Sequence, residues 1–393
     1  MPSTSKIADL TVFSGPYEQK TLVNAILVNK DLSDLLFSYC TEKTFLSISR
    51  TCRIGHEAVK SYMRQAYNIN RILTPFITSP LAFRQLQART GALISGSAAL
   101  QFFDRSYYPE ADLDIYVSHK FRLDVANFFL GDGYTFKPTQ KQNANLQIAA
   151  VGRTPDPDDE YELKAVRVVL TFVKDRKHGE PLKTQVVVTE DNPMESVLGF
   201  HSSMLPYELP VITSFHQSSV SACVMNVISC DTAYSLYPLA TFEERKALIC
   251  RPPYDDRTYA AHNKYYDRGW EVREDHDYAE ERFILYAQRW IGDKHTWKIP
   301  LDTTHITDHI PLRRGSEPLT RDPIVATNWM LDHNCVRGGL MIADVMTNPF
   351  LACTYVIDPS DTYFFLQGIA VSFLGEGPVR LEYVPAILFM HLT

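Results

Sequence analysis

Apolar residues recur at helical spacing between residues 31 and 78, which predicts three short helices joined by tight turns. Asp31 is placed to cap the first helix, the second begins near Thr44, and the third begins near His56. The apolar positions of the first helix are Leu32, Leu35, Leu36 and Tyr39. Isolated helices shorter than about 12–15 residues are marginal in water, so these three must pack on one another. We therefore predict a small helical module over residues 1–80.

A further helix is predicted from Ser79-Pro80 to Gly91, because proline suits the first helical position and glycine suits the position after the last. The next predicted elements are a buried strand over 92–95, a Gly96-Ser97 turn, a helix over 98–103 and an alternating strand over 113–117. Strands and helices therefore alternate in this part of the chain.

The middle of the chain is rich in β-forming residues. The segments 161–173 and 182–189 predict two strands of a hairpin around the turn KDRKHGEP, and residues 211–229 predict a helix. After a proline-rich break at 251–253, the tail alternates polar loops with short apolar runs, which leaves its fold open. The predicted divisions are a helical module over 1–80, a core over 81–250 and a mixed C-terminal segment over 251–393. We expect an α+β fold with a mixed sheet.

The composition is that of a globular protein, with 45% of the 393 residues hydrophobic and 22% charged, which excludes disordered and collagen-like chains. Lys and Arg number 39 against 46 Asp and Glu, a net charge of −7. That balance disfavours long nucleic acid as a partner, because such binding depends on positive charge. No apolar run approaches the ~20 residues that span a bilayer, and we expect neither a signal peptide nor membrane contact. The seven cysteines include no CxxC pair, which favours reduced thiols in a cytoplasmic or nuclear protein.

The candidate chemistry lies in residues 93–117, LISGSAALQFFDRSYYPEADLDIYV. Glycine at Gly96 lets a phosphate approach the backbone closely, and Ser97 with the N–H groups of the following helix can bind its oxygens. Asp112 and Asp114 stand two positions apart on a strand, so both point to one face and are candidate ligands of one Mg²⁺ or Mn²⁺. A metal beside a phosphate-binding turn is the minimum apparatus for phosphoryl or nucleotidyl transfer. The alternative is a strand exit with helix-capping acids and no metal.

This ordered set of strand, Gly-Ser, helix and strand-borne D-L-D resembles the signature of the nucleotidyltransferase superfamily, the group that includes DNA polymerase β. The resemblance implies a nucleotidyltransferase-like core in which Gly96 and Ser97 face a nucleoside triphosphate. It also implies that Asp112 and Asp114 are catalytic residues that hold the metal ions.

The same resemblance implies a third carboxylate on a later strand, for which KTQVVVTE is the natural place. Gln185 stands at the expected position, and a neutral amide neither acts as a base nor offsets metal charge. Glu190, just beyond that strand, is an alternative. The sequence does not decide which residue takes the third carboxylate position, and it therefore does not decide whether the site is active.

Residues 30–59, KDLSDLLFSYCTEKTFLSISRTCRIGHEAV, resemble an F-box. F-boxes dock on a Skp-type adaptor of a cullin ubiquitin ligase through exposed apolar side chains. Lys30-Asp31-Leu32 replaces the usual Leu-Pro opening, and the alternative is a helical subdomain that packs on the core. The joint order of module and core, over about residues 25 to 250, is similar to a group of uncharacterised proteins of mushroom-forming fungi.

Two functions follow as hypotheses. The leading one is a Mg²⁺-dependent nucleotidyltransferase that moves a nucleoside monophosphate from a triphosphate to a hydroxyl on a small molecule, a protein or RNA. Its rival is a non-catalytic adaptor, in which the helices engage a Skp-type protein and the core recognises a client or a nucleotide.

Two basic features have open roles. Lys183 belongs to a basic cluster around the predicted hairpin, which either steers a polyanion or is a solvated hairpin tip. Residues 263–270, NKYYDRGW, combine aromatic and basic side chains in a way that suits stacking on a base and is equally ordinary in a loop.

Overall fold

The computed structural model describes residues 23–152, 166–190, 192–199, 222–248, 263–273, 282–306, 323–334 and 340–347. The chain divides into two compact units, Met1–Tyr67 and Asn68–Thr393. Within the described ranges, no helix combines the length and the apolar character that crossing a bilayer would need.

The first unit is built on three helices, α1 (Lys30–Ser38), α2 (Glu42–Ser49) and α3 (Arg53–Ala66). Each contributes one buried aromatic side chain, Phe37, Phe45 and Tyr62, and the ring centroids lie 5.5 to 6.1 Å apart. These contacts bury helices that are too short to be stable alone, as predicted.

The apolar stripe of α1 is not the face that it buries. Phe37 and Ser33 are buried, whereas the four residues of the stripe are exposed: Leu32, Leu35, Leu36 and Tyr39. Periodicity identified an apolar stripe correctly, but a short helix with apolar residues on two sides does not reveal which side faces the core. The aromatic cluster decides it in favour of Phe37.

The second unit contains most of the chain. Its main helices are α4 (Ile69–Leu73), α5 (Pro80–Thr90), α6 (Gly96–Asp104), α7 (Arg122–Gly131), α8 (Leu146–Val151) and α9 (Pro193–Gly199), with a further helical turn over 263–267. Its strands are β1 (Leu93–Ser95), β2 (Leu113–Ser118), β3 (Thr135–Phe136), β4 (Val166–Lys174), β5 (Leu182–Thr189), β6 (Asn226–Ile228), β7 (Thr232–Ser235), β8 (Lys246–Leu248), β9 (Glu271–Arg273), β10 (Arg289–Trp290), β11 (Trp297–Pro300), β12 (Thr327–Asn334) and β13 (Leu340–Thr347).

Eight strands form the main sheet, in the order β11-β7-β6-β1-β2-β5-β4-β3. β2 and β5 are parallel, and the other neighbours are antiparallel. Smaller sheets are formed by β10-β12-β13 and by the parallel pair β8-β9. The prediction of a mixed α and β fold with a large mixed sheet is confirmed.

Several local predictions match the structure. The Ser79 hydroxyl accepts a hydrogen bond from the Ala82 N–H at the start of α5, and Gly91 ends that helix with φ +66°. β4 and β5 form the predicted antiparallel hairpin. The helix predicted over 211–229 is wrong at its end, since β6 lies there, and residues 211–221 lie outside the described ranges.

The C-terminal segment, predicted over 251–393, contributes strands to the second unit. β11 is an edge strand of the main sheet, and one buried cluster joins Leu93 and Tyr234 to Phe283 and Trp329. The two compact units meet in sequence at Tyr67, whereas the helical module was predicted to extend to residue 80.

Candidate functional site

The site is organised by the junction between β1 and α6. Gly96 begins α6 with φ +65°, the left-handed region that favours glycine. Ser95 pairs in antiparallel register with Asp114, and a Cβ built on Gly96 would lie well inside van der Waals contact of the Asp114 carboxylate. Any larger residue at this position would therefore be strained and would displace the carboxylate. Ser97 is buried in the first turn of the same helix.

Asp114 lies on β2, and Asp112 immediately precedes the strand. Along this strand, Leu113, Ile115 and Val117 are fully buried, while the residues between them are half-buried. Asp112 and Asp114 both belong to the half-buried set, because side chains two positions apart share a face. The Asp114 carboxylate thus lies against Gly96, with Asp112 two positions before it in the chain.

The pair is short of positive charge. Burial and then the neighbouring negative charge of Asp112 raise the pKa of Asp114, while Lys183 and Lys264 lower it, and the net result is a pKa of about 7. Asp112 accepts an ion-paired hydrogen bond from Lys183, with 2.9 Å between Nζ and Oδ2. A bound cation would therefore stabilise the ionised form of these carboxylates.

Gln185 occupies the place beside the pair where a third carboxylate was sought. β2 and β5 are parallel, and their register sets Gln185 directly against Asp114. The side chain is buried, with 7% of its surface exposed. Its amide can donate to a carboxylate or accept from a donor, but it carries no charge.

Glu190 lies away from the pair. It follows β5 by one residue and is five positions beyond Gln185, which corresponds to about 16 Å along an extended strand. Its carboxylate pairs with Arg167 at 3.2 Å, and its backbone carbonyl is bound by the His119 ring. The sheet register therefore favours Gln185 over Glu190 as the residue at the third position.

Two basic groups complete the surroundings of the aspartates. Lys264, on the helical turn 263–267, has a pKa lowered by burial and by Arg268, whereas Asp112 and Asp114 raise it. The Arg268 guanidinium lies 3.9 Å from the centre of the Tyr108 ring and pairs with Glu110 at 2.6 Å. This turn is thereby tied to the segment that leads into β2.

Sequence reasoning singled out NKYYDRGW and the basic cluster of Lys183 but connected neither of them to the aspartates. The signal available in the sequence was the basic character of both segments. Their proximity to Asp112 depends on strand pairing and on a turn about 150 residues downstream of the aspartates in the sequence, which periodicity does not encode.

The donor set suits Mg²⁺ or Mn²⁺ on chemical grounds. Within the residues that the structure describes, no cluster of three or more His, Cys, Asp or Glu side chains could hold a metal. Mg²⁺ prefers oxygen ligands and is commonly held by one or two carboxylates together with water and substrate phosphates. Asp112 and Asp114 fit that mode, and the Asp114 carboxylate lies against Gly96 at the N-terminus of α6.

Comparisons of the chain with protein-family models, with curated proteins and with solved structures found no match. What the site does must therefore be inferred from its own residues and geometry.

Proposed function

We propose that the second unit is a Mg²⁺-dependent nucleotidyltransferase that moves a nucleoside monophosphate from a triphosphate to a hydroxyl acceptor. The observation that carries this proposal is the contact between the Gly96 backbone and the Asp114 carboxylate, with Asp112 immediately before the strand that carries Asp114. A helix N-terminus that attracts phosphate and a pair of metal-binding carboxylates thus converge on one point.

Each residue has a defined part in the proposed reaction. The first N–H groups of α6 bind the phosphates, and Ser97 adds a hydroxyl in the same turn. Asp112 and Asp114 hold the divalent cation, which when bound neutralises charge on the phosphate oxygens and makes the acceptor hydroxyl more acidic. Lys264 carries positive charge toward the same carboxylates and so favours an anionic ligand there.

The transfer itself is an in-line displacement. The acceptor oxygen forms a bond to the α-phosphorus while the bond from that phosphorus to the oxygen bridging to the β-phosphate breaks, and pyrophosphate leaves. Gln185 cannot take the acceptor's proton, because an amide is neutral and weakly basic, so the proton passes to solvent. We expect turnover to be slow for this reason.

The net charge of the chain favours some classes of acceptor over others. A net charge of −7 is poorly suited to holding a long nucleic acid, whose binding depends on the neutralisation of many phosphates. A small molecule or a protein hydroxyl is therefore the favoured acceptor class, with a short RNA end as the other candidate.

The proposal is tested by incubating the full chain with each ribonucleoside triphosphate and Mg²⁺ or Mn²⁺. We expect release of pyrophosphate, measured in a coupled phosphate assay, and loss of the signal in EDTA. Transfer of the label from an α-labelled triphosphate to the chain itself would identify a protein acceptor. If no triphosphate gives pyrophosphate and none binds in a metal-dependent way, the proposal is wrong.

A second candidate function belongs to the first unit. Leu32, Leu35, Leu36 and Tyr39 form one exposed stripe along α1 and its C-cap, and Tyr39 is 85% exposed. A contiguous group of exposed apolar side chains is more often an interaction site than the rest of a protein surface is. Together with the F-box resemblance, this stripe supports docking on a Skp-type ubiquitin-ligase adaptor.

Pull-down of the full chain with a purified Skp-type protein tests this second function. We expect binding by the wild-type chain and at least a tenfold loss in Leu35→Glu, because a charge buried in an apolar interface is left unpaired. Leu130→Glu, at an exposed leucine of α7, is the matched control and should bind normally. Equal binding by both variants, or none by the wild type, would contradict adaptor docking.

A further inference from the structure

Lys183 lies beside the carboxylates that we propose hold the divalent cation, which is also where the nucleotide phosphates would bind. It precedes Thr184 on β5 and shares a strand face with Gln185, the residue in register with Asp114. Its ammonium lies 2.9 Å from Asp112 Oδ2, and the two side chains are 30% and 18% exposed. The ion pair is therefore half-open to solvent and accessible to an incoming ion.

A second lysine–aspartate ion pair, formed by Lys174 at the end of the neighbouring strand β4, serves as a comparison because further hydrogen bonds hold it in place. Lys174, on β4, contacts Asp132 at 3.0 Å and also donates to the Thr78 hydroxyl at 3.3 Å. Asp132 in turn accepts from the Thr78 backbone N–H at 3.1 Å. These three groups hold one another in a single arrangement that ties the start of α5 to the sheet.

We propose that Lys183 is a tethered competitor of the divalent cation, with its ammonium held on Asp112 until the metal displaces it. The inference rests on the proposed metal site. A carboxylate that is paired with an ammonium at hydrogen-bond distance attracts a second cation less strongly, and the two positive charges repel each other. Metal binding by the nucleotide-free chain is weakened as a result.

The displaced ammonium then has a second role. Lys183 carries a compact charge on a flexible four-carbon stem, which suits it to follow anionic oxygens after it leaves Asp112. Removal of the ammonium should therefore strengthen metal binding and weaken triphosphate binding. A purely structural lysine would not separate the two affinities in opposite directions.

The test is a titration of the EDTA-stripped full chain with Mn²⁺, followed by electron paramagnetic resonance, which measures free Mn²⁺ without turnover. We expect Lys183→Met and Lys183→Gln to bind Mn²⁺ about tenfold more tightly than wild type, the effect of removing a half-buried opposing charge. Lys183→Arg should behave like wild type. Lys174→Met is the matched control and should leave Mn²⁺ affinity unchanged.

Several outcomes separate this inference from the proposed function. Equal Mn²⁺ affinity of wild type, Lys183→Met and Lys183→Gln would overturn the proposed competition between the ammonium and the metal, while leaving the metal site in place. Absence of Mn²⁺ binding in every variant would overturn both. In an Asp112→Asn background, Lys183→Met should have no further effect, and a persistent tenfold gain there would also overturn the inference. Titration of the same variants with inorganic triphosphate without metal should show the expected loss of anion affinity, and unchanged binding would contradict the second role.

Discussion

Replacing Asp114 with Asn is expected to lower pyrophosphate release by more than about 100-fold, because loss of even an outer partner of a metal ligand costs about 10–100-fold. The substitution keeps the size of the side chain but removes the charge that faces Gly96 and Asp112. Asp124→Asn, on an exposed position of α7, is the matched control and should retain activity. Measurement of initial rates at saturating triphosphate and Mg²⁺ tests the expectation, and an active Asp114→Asn variant would contradict it.

The same substitution is expected to stabilise the metal-free chain above neutral pH. The pKa of Asp114 is raised from 3.8 to about 7, chiefly by burial, so the folded state favours the protonated carboxyl. The stability associated with that proton is complete below about pH 4 and is lost as the pH rises to about 7. Asparagine carries no such loss, so the advantage of Asp114→Asn should grow over this window and level off above it, reaching about 4 kcal/mol.

Thermal unfolding in EDTA between pH 4 and pH 8 measures this difference. Addition of Mg²⁺ at pH 8 should stabilise the wild type and leave Asp114→Asn unchanged, because ligand binding stabilises only a folded state that has the site. A constant difference in melting temperature across the pH range would mean that burial and Asp112 do not raise the pKa of Asp114.

The second large effect is expected far from the site, at the buried ion pair of Arg289 and Asp293. The two side chains are 1% and 2% exposed, and Arg289 Nε donates to Asp293. Arg289 also donates to the Leu236 carbonyl at 2.9 Å and lies 5.2 Å from the centre of the Trp329 ring. Asp293 accepts further hydrogen bonds from the Thr296 hydroxyl and from a backbone N–H, each at 2.9 Å.

Asp293→Ala is expected to destabilise the second unit by about 3–5 kcal/mol, because it leaves the Arg289 charge buried and unpaired. Urea unfolding followed by tryptophan fluorescence measures it, since all four tryptophans lie in this unit. Glu271→Ala breaks the exposed pair with Arg273 and should cost less than about 1 kcal/mol. Similar costs for the two variants would contradict a structural role for the buried pair.

The stability that this pair contributes should change with pH in the opposite direction to the stability that depends on Asp114. Burial alone would raise the pKa of Asp293, but the hydrogen bond and charge of Arg289, with Thr296, bring it below the usual range. The pair therefore stabilises the fold above the ordinary pKa of an aspartate, and this stability is lost as the pH falls through the lowered value.

Many elements near the site could be predicted from the sequence because their signals are local. Ser79, Pro80 and Gly91 define the ends of α5, and the eight residues of β5 were predicted with the bounds that the structure gives. Capping, positive φ and alternation depend on a few consecutive residues, so they survive whatever the rest of the chain does. The convergence of Gly96 with Asp114 depends in addition on the antiparallel pairing of β1 with β2.

Contacts between distant segments could not be predicted in this way. Lys183 and Asp112 are 71 positions apart, and their ion pair depends on the parallel register of β2 and β5. A shift of that register by one residue would turn Gln185 and Lys183 to the other face of the sheet. Likewise, the helix predicted over 211–229 gave way to a strand at its end, because β6 pairs with β1 and β7 in the buried middle of the sheet.

The sequence by itself determined that a phosphate-binding type of turn precedes two aspartates on one strand face, and that short helices precede this core. Those features follow from glycine conformation and from periodicities of 2.0 and 3.6 residues, which are properties of the local chain. The tertiary structure decided that Gln185 and not Glu190 lies beside Asp114, that Lys183 and Lys264 offset the charge of the aspartates only in part, and that α1 turns its leucines outward. Register and burial are set by packing between distant segments, and no local pattern contains them.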